Sequence, residues 1–99
     1  MPEIKEILAE RGARYGDFGS HAFVAQQLKA ILIPKIDTRL AISEVHIPKE
    51  TRAAIHEAVE MICHKLGRIA NGDPLYADSW DDIAGYAKLV SQELDRLEL

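Results

Sequence analysis

Apolar side chains recur mostly three and four residues apart along this 99-residue chain, the spacing typical of α-helices that bury one face. Four segments follow this pattern. The first starts at Pro2, a residue suited to a first helical turn, and ends at Gly12. The second starts after Ser20, a good N-cap residue, and stops at Pro34. The first half of the chain is therefore predicted to hold two helices.

The second half of the chain is predicted to hold two longer helices. The third begins at Pro48 and ends before Gly72, and the fourth is capped by Asp78 or Ser79. Residues 34–48 fit neither the helical nor the strand period and predict a long loop with a short helix or a short pair of strands. The third helix carries an apolar seam at steps of four and three residues, formed by Ile55, Val59, Ile62, Leu66 and Ile69.

These patterns predict one all-α domain over residues 1–99, a bundle of about four helices with the last two antiparallel across a short turn. The net charge of −4 argues against a partner of duplex nucleic acid. The longest apolar run is far too short to span a membrane, and the charged N-terminal residues do not resemble a signal peptide. A single cysteine, Cys63, excludes an internal disulfide, so a cytoplasmic location is expected.

Four acidic residues are the main candidates for chemistry. Glu57 and Glu60 are three residues apart on the third helix, and Asp78 and Asp82 are four apart on the fourth, so each pair shares a helix face. Carboxylates that converge from two facing helices are the ligands that a hard divalent cation such as Mg²⁺ requires. The alternative is that these acids only cap and solvate helices, because acids are favoured in first turns and opposite apolar seams.

Four further side chains are candidates for contact with a ligand. Lys65 and Arg68 either pair with nearby acids or contact a phosphate. Trp80 and Tyr86 either pack in the core or line a binding site for a nucleotide base. His21 lies in line with the apolar stripe of the second helix, which favours a partly buried structural histidine over a ligand. A candidate site for a transition metal is also present on the third helix. Its three candidate ligands are each one helical turn apart: His56, Glu60 and His64.

The run "EAVEMICHKLGRIANGDPLYADSWDDIAGYAKLV", together with "ERGARYGDF" and "HAFVAQQLK" upstream, resembles a group of small phage and prophage proteins. These look like distant relatives of the all-α nucleoside triphosphate pyrophosphohydrolases, the MazG and dimeric dUTPase group. That superfamily binds magnesium through an ExxE motif on one helix and an ExxD motif on the next. Glu57 and Glu60 match the first motif. Asp78 and Asp81 have the second spacing with Asp in place of Glu, whereas Asp78 and Asp82 follow the signature of the phage proteins.

The resemblance implies a homo-oligomer, a dimer or tetramer, that hydrolyses a nucleoside triphosphate to a monophosphate and pyrophosphate. Magnesium held by Glu57, Glu60, Asp78 and Asp82 would activate water, and Lys65 or Arg68 would neutralise phosphate charge. A second hypothesis comes from a different class. In it the chain is a non-catalytic phage accessory protein that binds a nucleotide or a partner protein.

Overall fold

The computed structural model describes residues 3–99, and no strand occurs within them. The predicted all-α class with four helices is confirmed. Pro2, predicted for the first helical turn, lies outside the described residues. The helices are α1 (Ile4–Tyr15), α2 (Phe18–Ile42), α3 (Lys49–Asn71) and α4 (Ala77–Arg96).

Helix α1 continues past Gly12, so the predicted end at that residue is wrong. A glycine inside a helix costs only about 1 kcal/mol relative to alanine, which neighbouring turns can offset. The helix ends instead at Gly16, whose φ of 79° lies in the left-handed region that favours glycine. A methyl group on Gly16 would also overlap the carbonyl of Asn71, so glycine lets the ends of α1 and α3 meet.

Helix α2 begins three residues earlier than predicted because Asp17, and not Ser20, is its N-cap. The Asp17 carboxylate accepts hydrogen bonds from the backbone N–H of Ser20 at 3.0 Å and from the Ser20 hydroxyl at 3.1 Å. Ser20 is therefore the third residue of the first turn, where its N–H needs an acceptor outside the helix.

Helix α2 also passes through Pro34, where it was predicted to stop, and only six residues remain as the loop before α3. An interior proline removes one helical hydrogen bond at a cost of about 3 kcal/mol. Packing on α3 compensates, because side chains on both sides of the proline, such as Ile33 and Ile36, are half-buried. The Asp37 carboxylate also contacts the imidazole of His56 on α3. Tertiary contact thus overrides the local signal.

The two longer helices follow the prediction more closely. Pro48 precedes α3 and Gly72 follows it, as expected. At α4, neither Asp78 nor Ser79 caps the helix, which corrects that prediction. The residue before the first turn is Tyr76, and no side chain caps the N-terminus. The Asp78 carboxylate accepts a hydrogen bond from the Tyr76 hydroxyl at 3.0 Å, and Ser79 is buried.

Helix α3 lies in the middle of the molecule, with α2 on one side and α4 on the other. Both neighbours run antiparallel to it: Asp37 on α2 pairs with His56, and Asp82 on α4 pairs with Lys65. Over residues 3–99, α2 and α4 do not contact each other, and α1 packs only on α2 and α3. The main body is therefore a single layer of three helices.

This layer has almost no closed core. The buried apolar residues of the described chain are the small side chains Ala25, Ala58 and Cys63. The predicted seam on α3 is only half-buried, because α2 and α4 pack against the flanks of the helix and leave the seam between them partly open. The radius of gyration is 16.3 Å, whereas a compact domain of this length has about 13 Å.

Candidate functional site

Glu57 and Glu60 lie in different grooves of the molecule. Glu57 is exposed in the groove between α3 and α4, which Tyr86 and Glu93 also line. Glu60 is exposed on the other side of α3, in a shallow groove shared with Lys29 of α2. Because α3 is flanked by two different helices, a separation of three residues is enough to direct the two carboxylates to different neighbours.

Asp82 forms an ion pair with Lys65 across the α3–α4 contact. The Lys65 Nζ lies 2.8 Å from the Asp82 Oδ2, and the side chains are 14% and 50% exposed respectively. The magnesium hypothesis predicts that Asp82 converges with the other carboxylates, but the acid meets a base instead. Its negative charge is therefore neutralised by a mostly buried ammonium group.

Asp78 belongs to a chain of hydrogen bonds that ties the start of α4 to α1. The Tyr76 hydroxyl donates to the Asp78 Oδ2 at 3.0 Å and accepts from the Arg14 Nη1 at 3.1 Å. The Arg14 guanidinium carbon also lies 4.8 Å from the centre of the Tyr76 ring. The hydrogen bond to Asp78 raises the pKa of Tyr76, because loss of the phenolic proton would place two negative oxygens together.

The four predicted magnesium ligands are thus not brought together within one chain. Over residues 3–99, no group of three or more histidine, cysteine, aspartate and glutamate side chains is close enough to hold a metal ion. The series of His56, Glu60 and His64 also separates, since His56 contacts Asp37 and His64 packs edge-on against His21 at 5.1 Å between ring centres.

The four predicted ligand contacts are likewise spread over the molecule. Lys65 and Tyr86 face the α3–α4 contact. Trp80 is about half exposed, and its indole N–H donates to the carbonyl of Pro74 at 2.8 Å, which fixes the turn before α4. Arg68 lies near the end of α3, over the ring of Tyr15 on α1.

A cavity beside Arg68 is lined by two positively charged side chains, which the sequence did not predict to form one site. We call it the cationic cavity; its volume is about 360 Å³. The guanidinium carbons of Arg68 and Arg11 lie 4.4 Å and 5.7 Å from the centre of the Tyr15 ring. The walls are formed mainly by Leu8, Arg11, Tyr15, Phe18, His21 and Arg68.

His21 forms a buried wall of the cationic cavity and is 4% exposed. Among the described residues, neither of its ring nitrogens has a hydrogen-bond partner of good geometry, and the same holds for the buried Nε of Arg68. The backbone of Asp17 lies near the imidazole and favours its protonated form. Burial lowers the pKa of His21, and the nearby positive charge of Arg68 lowers it further. The imidazole is therefore neutral near pH 7, with one nitrogen able to donate and the other able to accept. The burial predicted for this histidine is confirmed.

One signal in the sequence pointed to part of this cavity. Arg11 and Tyr15 are four residues apart and so share a face of α1. Arg68 reaches this cavity because α1 and α3 approach each other closely at Gly16. That approach is a property of the tertiary fold and is not visible in the sequence.

Comparisons of the chain with protein-family models, curated proteins and solved structures return no match. The resemblance to the phage proteins and the pyrophosphohydrolases therefore stays a prediction. Among the helices that the structure describes, none combines the length and the apolar character needed to cross a bilayer.

Proposed function

We propose that the chain is a homo-oligomeric accessory protein of the cytoplasm that acts by binding rather than by catalysis. The observation that carries this proposal is the amount of exposed surface. The chain has a solvent-accessible surface of 7033 Å² for a mass of 11.1 kDa. Folded monomers of this mass expose about 5,700 Å², so the excess is about 1,400 Å². Standard protein interfaces bury about 800 Å² on each partner.

The excess surface includes an apolar stripe along α2, which we call the outer face of α2 and define by Phe23, Ile31 and Ile42. These side chains are 63%, 58% and 64% exposed. At 100° per residue they fall within about 100° of arc. His21 and Ala25, which are buried against α3, lie on the opposite side of the helix. The outer face of α2 is thus the apolar surface best placed for a partner helix.

A second copy of the chain is the partner that these observations favour. Among residues 3–99, only three small apolar residues are buried, too few to form the core of an independent domain. Helix α1 buries no residue at all, although Ile4, Ile7 and Leu8 form an apolar stripe on it. Chains of this kind reach a stable fold when they associate, since obligate homodimers often have no stable monomer.

Paired glutamates on the outer face of α2 test this proposal. We expect the double variant Phe23→Glu and Ile31→Glu to lower the molar mass measured by light scattering after gel filtration, because buried charges oppose association. Leu75→Glu is the matched control, since Leu75 is 88% exposed in the turn before α4, away from this face. A double variant with the mass of the unmodified protein would contradict the proposed interface.

The positions of the acids support binding over hydrolysis. Asp82 is neutralised by Lys65, Asp78 accepts the Tyr76 hydroxyl, and Glu57 and Glu60 face different grooves. Hydrolysis assisted by Mg²⁺ needs carboxylates that converge on the ion and leave room for water and phosphate oxygens.

A magnesium-dependent nucleoside triphosphate pyrophosphohydrolase is the second candidate function. It is favoured by the antiparallel contact of α3 and α4, since this contact places both acidic motifs on neighbouring helices with Lys65 beside Asp82. In this candidate, Glu57, Glu60, Asp78 and Asp82 hold the ion after the side chains rearrange, and Lys65 or Arg68 contacts phosphate.

Titration calorimetry with Mg²⁺ separates the two candidates. The protein would be titrated with and without a non-hydrolysable nucleoside triphosphate, beside the variants Glu60→Ala and Glu50→Ala. Glu50 is an exposed acid at the start of α3 and serves as the control. The binding proposal predicts no Mg²⁺ binding to the protein in any sample, after the heat of Mg²⁺ binding to the nucleotide alone has been subtracted. Binding that requires Glu60 but not Glu50, and that tightens with nucleotide, would replace it with the hydrolase.

A further inference from the structure

We infer that the cationic cavity binds a phosphate monoester of small molecular size, with the phosphate between Arg11 and Arg68 and the organic part against Leu8 and Phe18. Assembly of the chain with a second copy does not enter this inference. It depends on three features of the cavity: its uncompensated charge, its buried polar atoms without partners, and its size.

The positive charge of the cavity is not neutralised by an ion pair within residues 3–99. Among the described residues, no carboxylate lies within ion-pairing distance of Arg11 or Arg68. Asp17 also borders the cavity, but its carboxylate is occupied by the backbone N–H and the hydroxyl of Ser20 at the start of α2. Two guanidinium groups that lie over the Tyr15 ring therefore border the cavity without an ion-pair partner among the described residues.

The buried polar atoms indicate where an anion would bind. Both ring nitrogens of His21 and the Nε of Arg68 are shielded from solvent and lack hydrogen-bond partners in the described chain. Buried donors without acceptors are unfavourable, and native structures rarely leave them so. Oxygens of a bound anion can accept from the guanidinium groups of Arg68 and Arg11, beside the imidazole of His21 in the cavity wall.

Phosphate fits this donor set better than a singly charged anion. A phosphate monoester carries close to two negative charges and three terminal oxygens, which match two planar guanidinium groups with several donors each. The volume of about 360 Å³ lies at the lower end of the range of about 300–1,000 Å³ for small-molecule sites. The apolar side chains Leu8 and Phe18, 63% and 74% exposed, offer a surface for the organic part.

Calorimetric titrations with adenosine 5′-monophosphate, inorganic phosphate and adenosine test the inference. We expect adenosine 5′-monophosphate to bind, inorganic phosphate to bind more weakly, and adenosine not to bind. Substitution of Arg11→Gln or Arg68→Gln should each weaken binding about tenfold, because each removes charge-assisted hydrogen bonds. Arg39→Gln is the matched control, since Arg39 is exposed near the far end of α2, and it should leave the affinity unchanged.

Two results would overturn the inference: no binding of either phosphate compound, or binding that Arg11→Gln and Arg39→Gln weaken equally. Arg11 is exposed on α1, so its variant remains informative if Arg68→Gln does not fold. A second readout locates the ligand. The ring nitrogen resonances of His21 should shift on addition of adenosine 5′-monophosphate, whereas those of the exposed His46 should not.

Discussion

The ammonium group of Lys65 on α3 lies 2.8 Å from the carboxylate of Asp82 on α4. This pair joins the two helices on which the sequence predicted a magnesium site, and it gives one of the four acids a structural role. The Lys65 side chain is only 14% exposed, whereas that of Asp82 is 50% exposed, so solvent screens the pair in part.

A double-mutant cycle on this pair should reveal a modest coupling. We expect Lys65→Met and Asp82→Asn, measured singly and together by urea unfolding, to give a coupling free energy of about 0.5–1 kcal/mol, the range for partly exposed pairs. Glu93 and Arg96 form a control pair on α4. Its basic member, Arg96, is far more exposed than Lys65, so its coupling free energy should be smaller than that of Lys65 and Asp82. No coupling between Lys65 and Asp82 would remove the structural role proposed for the acid.

Gly67 should tolerate alanine poorly, although alanine favours helices. A methyl group on Gly67 would come within 2.5 Å of the His21 carbonyl oxygen and 3.4 Å of the Ala25 side chain, where α3 crosses α2. We expect Gly67→Ala to destabilise the protein by about 1–3 kcal/mol through overpacking. Gly85 on α4 has no atom near the same position.

The control for Gly67 is therefore Gly85→Ala, which should stabilise the protein by about 0.5–1 kcal/mol through helix propensity alone. Urea unfolding of both variants measures the difference. Similar stability changes in the two variants would show that α2 and α3 do not approach as closely as described here.

Stability should fall as the pH drops below 6.5 because of two histidines. Burial lowers the pKa values of His21 and His64 from the ordinary 6.5, and the charge of Arg68 adds to the effect. The unfolded chain therefore takes up these protons first as the pH falls. The contribution of these two histidines to the free energy of unfolding is fully present above pH 6.5. It is lost as the pH falls from 6.5 through their folded-state pKa values.

Thermal unfolding at pH 7.5 and at pH 5.5 measures this loss, because most carboxylates stay ionised above about pH 5. We expect a lower midpoint at pH 5.5, and a smaller decrease in the variant His64→Gln. His46→Gln is the control, since His46 is exposed, and its decrease should equal that of the unmodified protein. An equal decrease in all three proteins would assign the effect to other groups.

Much of the fold could be predicted from the sequence, because the helical period is strong in every segment that packs on a neighbour. Pro48 and Gly72 mark the ends of α3 correctly because they act locally. Pro34 lies inside α2 because packing on α3 outweighs the local preference to stop. Gly12 lies inside α1 because neighbouring turns offset the small cost of an interior glycine. The start of α2 differs from the prediction because Asp17 supplies the cap.

Less of the candidate site could be predicted. Spacing along a helix shows which side chains share a face, but it cannot show which neighbour that face meets. Glu57 and Glu60 satisfy a motif and still face opposite neighbours of α3. Arg68, predicted to pair with nearby acids or to contact a phosphate, lies over the ring of Tyr15 because α1 approaches the end of α3. Such contacts are properties of the assembled fold.

The native molar mass of the unmodified protein tests the central claim most directly. Sedimentation equilibrium over a wide range of protein concentration should give a multiple of the 11.1 kDa chain mass. The thermal midpoint should rise with concentration, because association stabilises the folded state by mass action. A mass of 11.1 kDa at every concentration, with cooperative unfolding at a constant midpoint, would contradict the account and show that the open helical layer is stable alone.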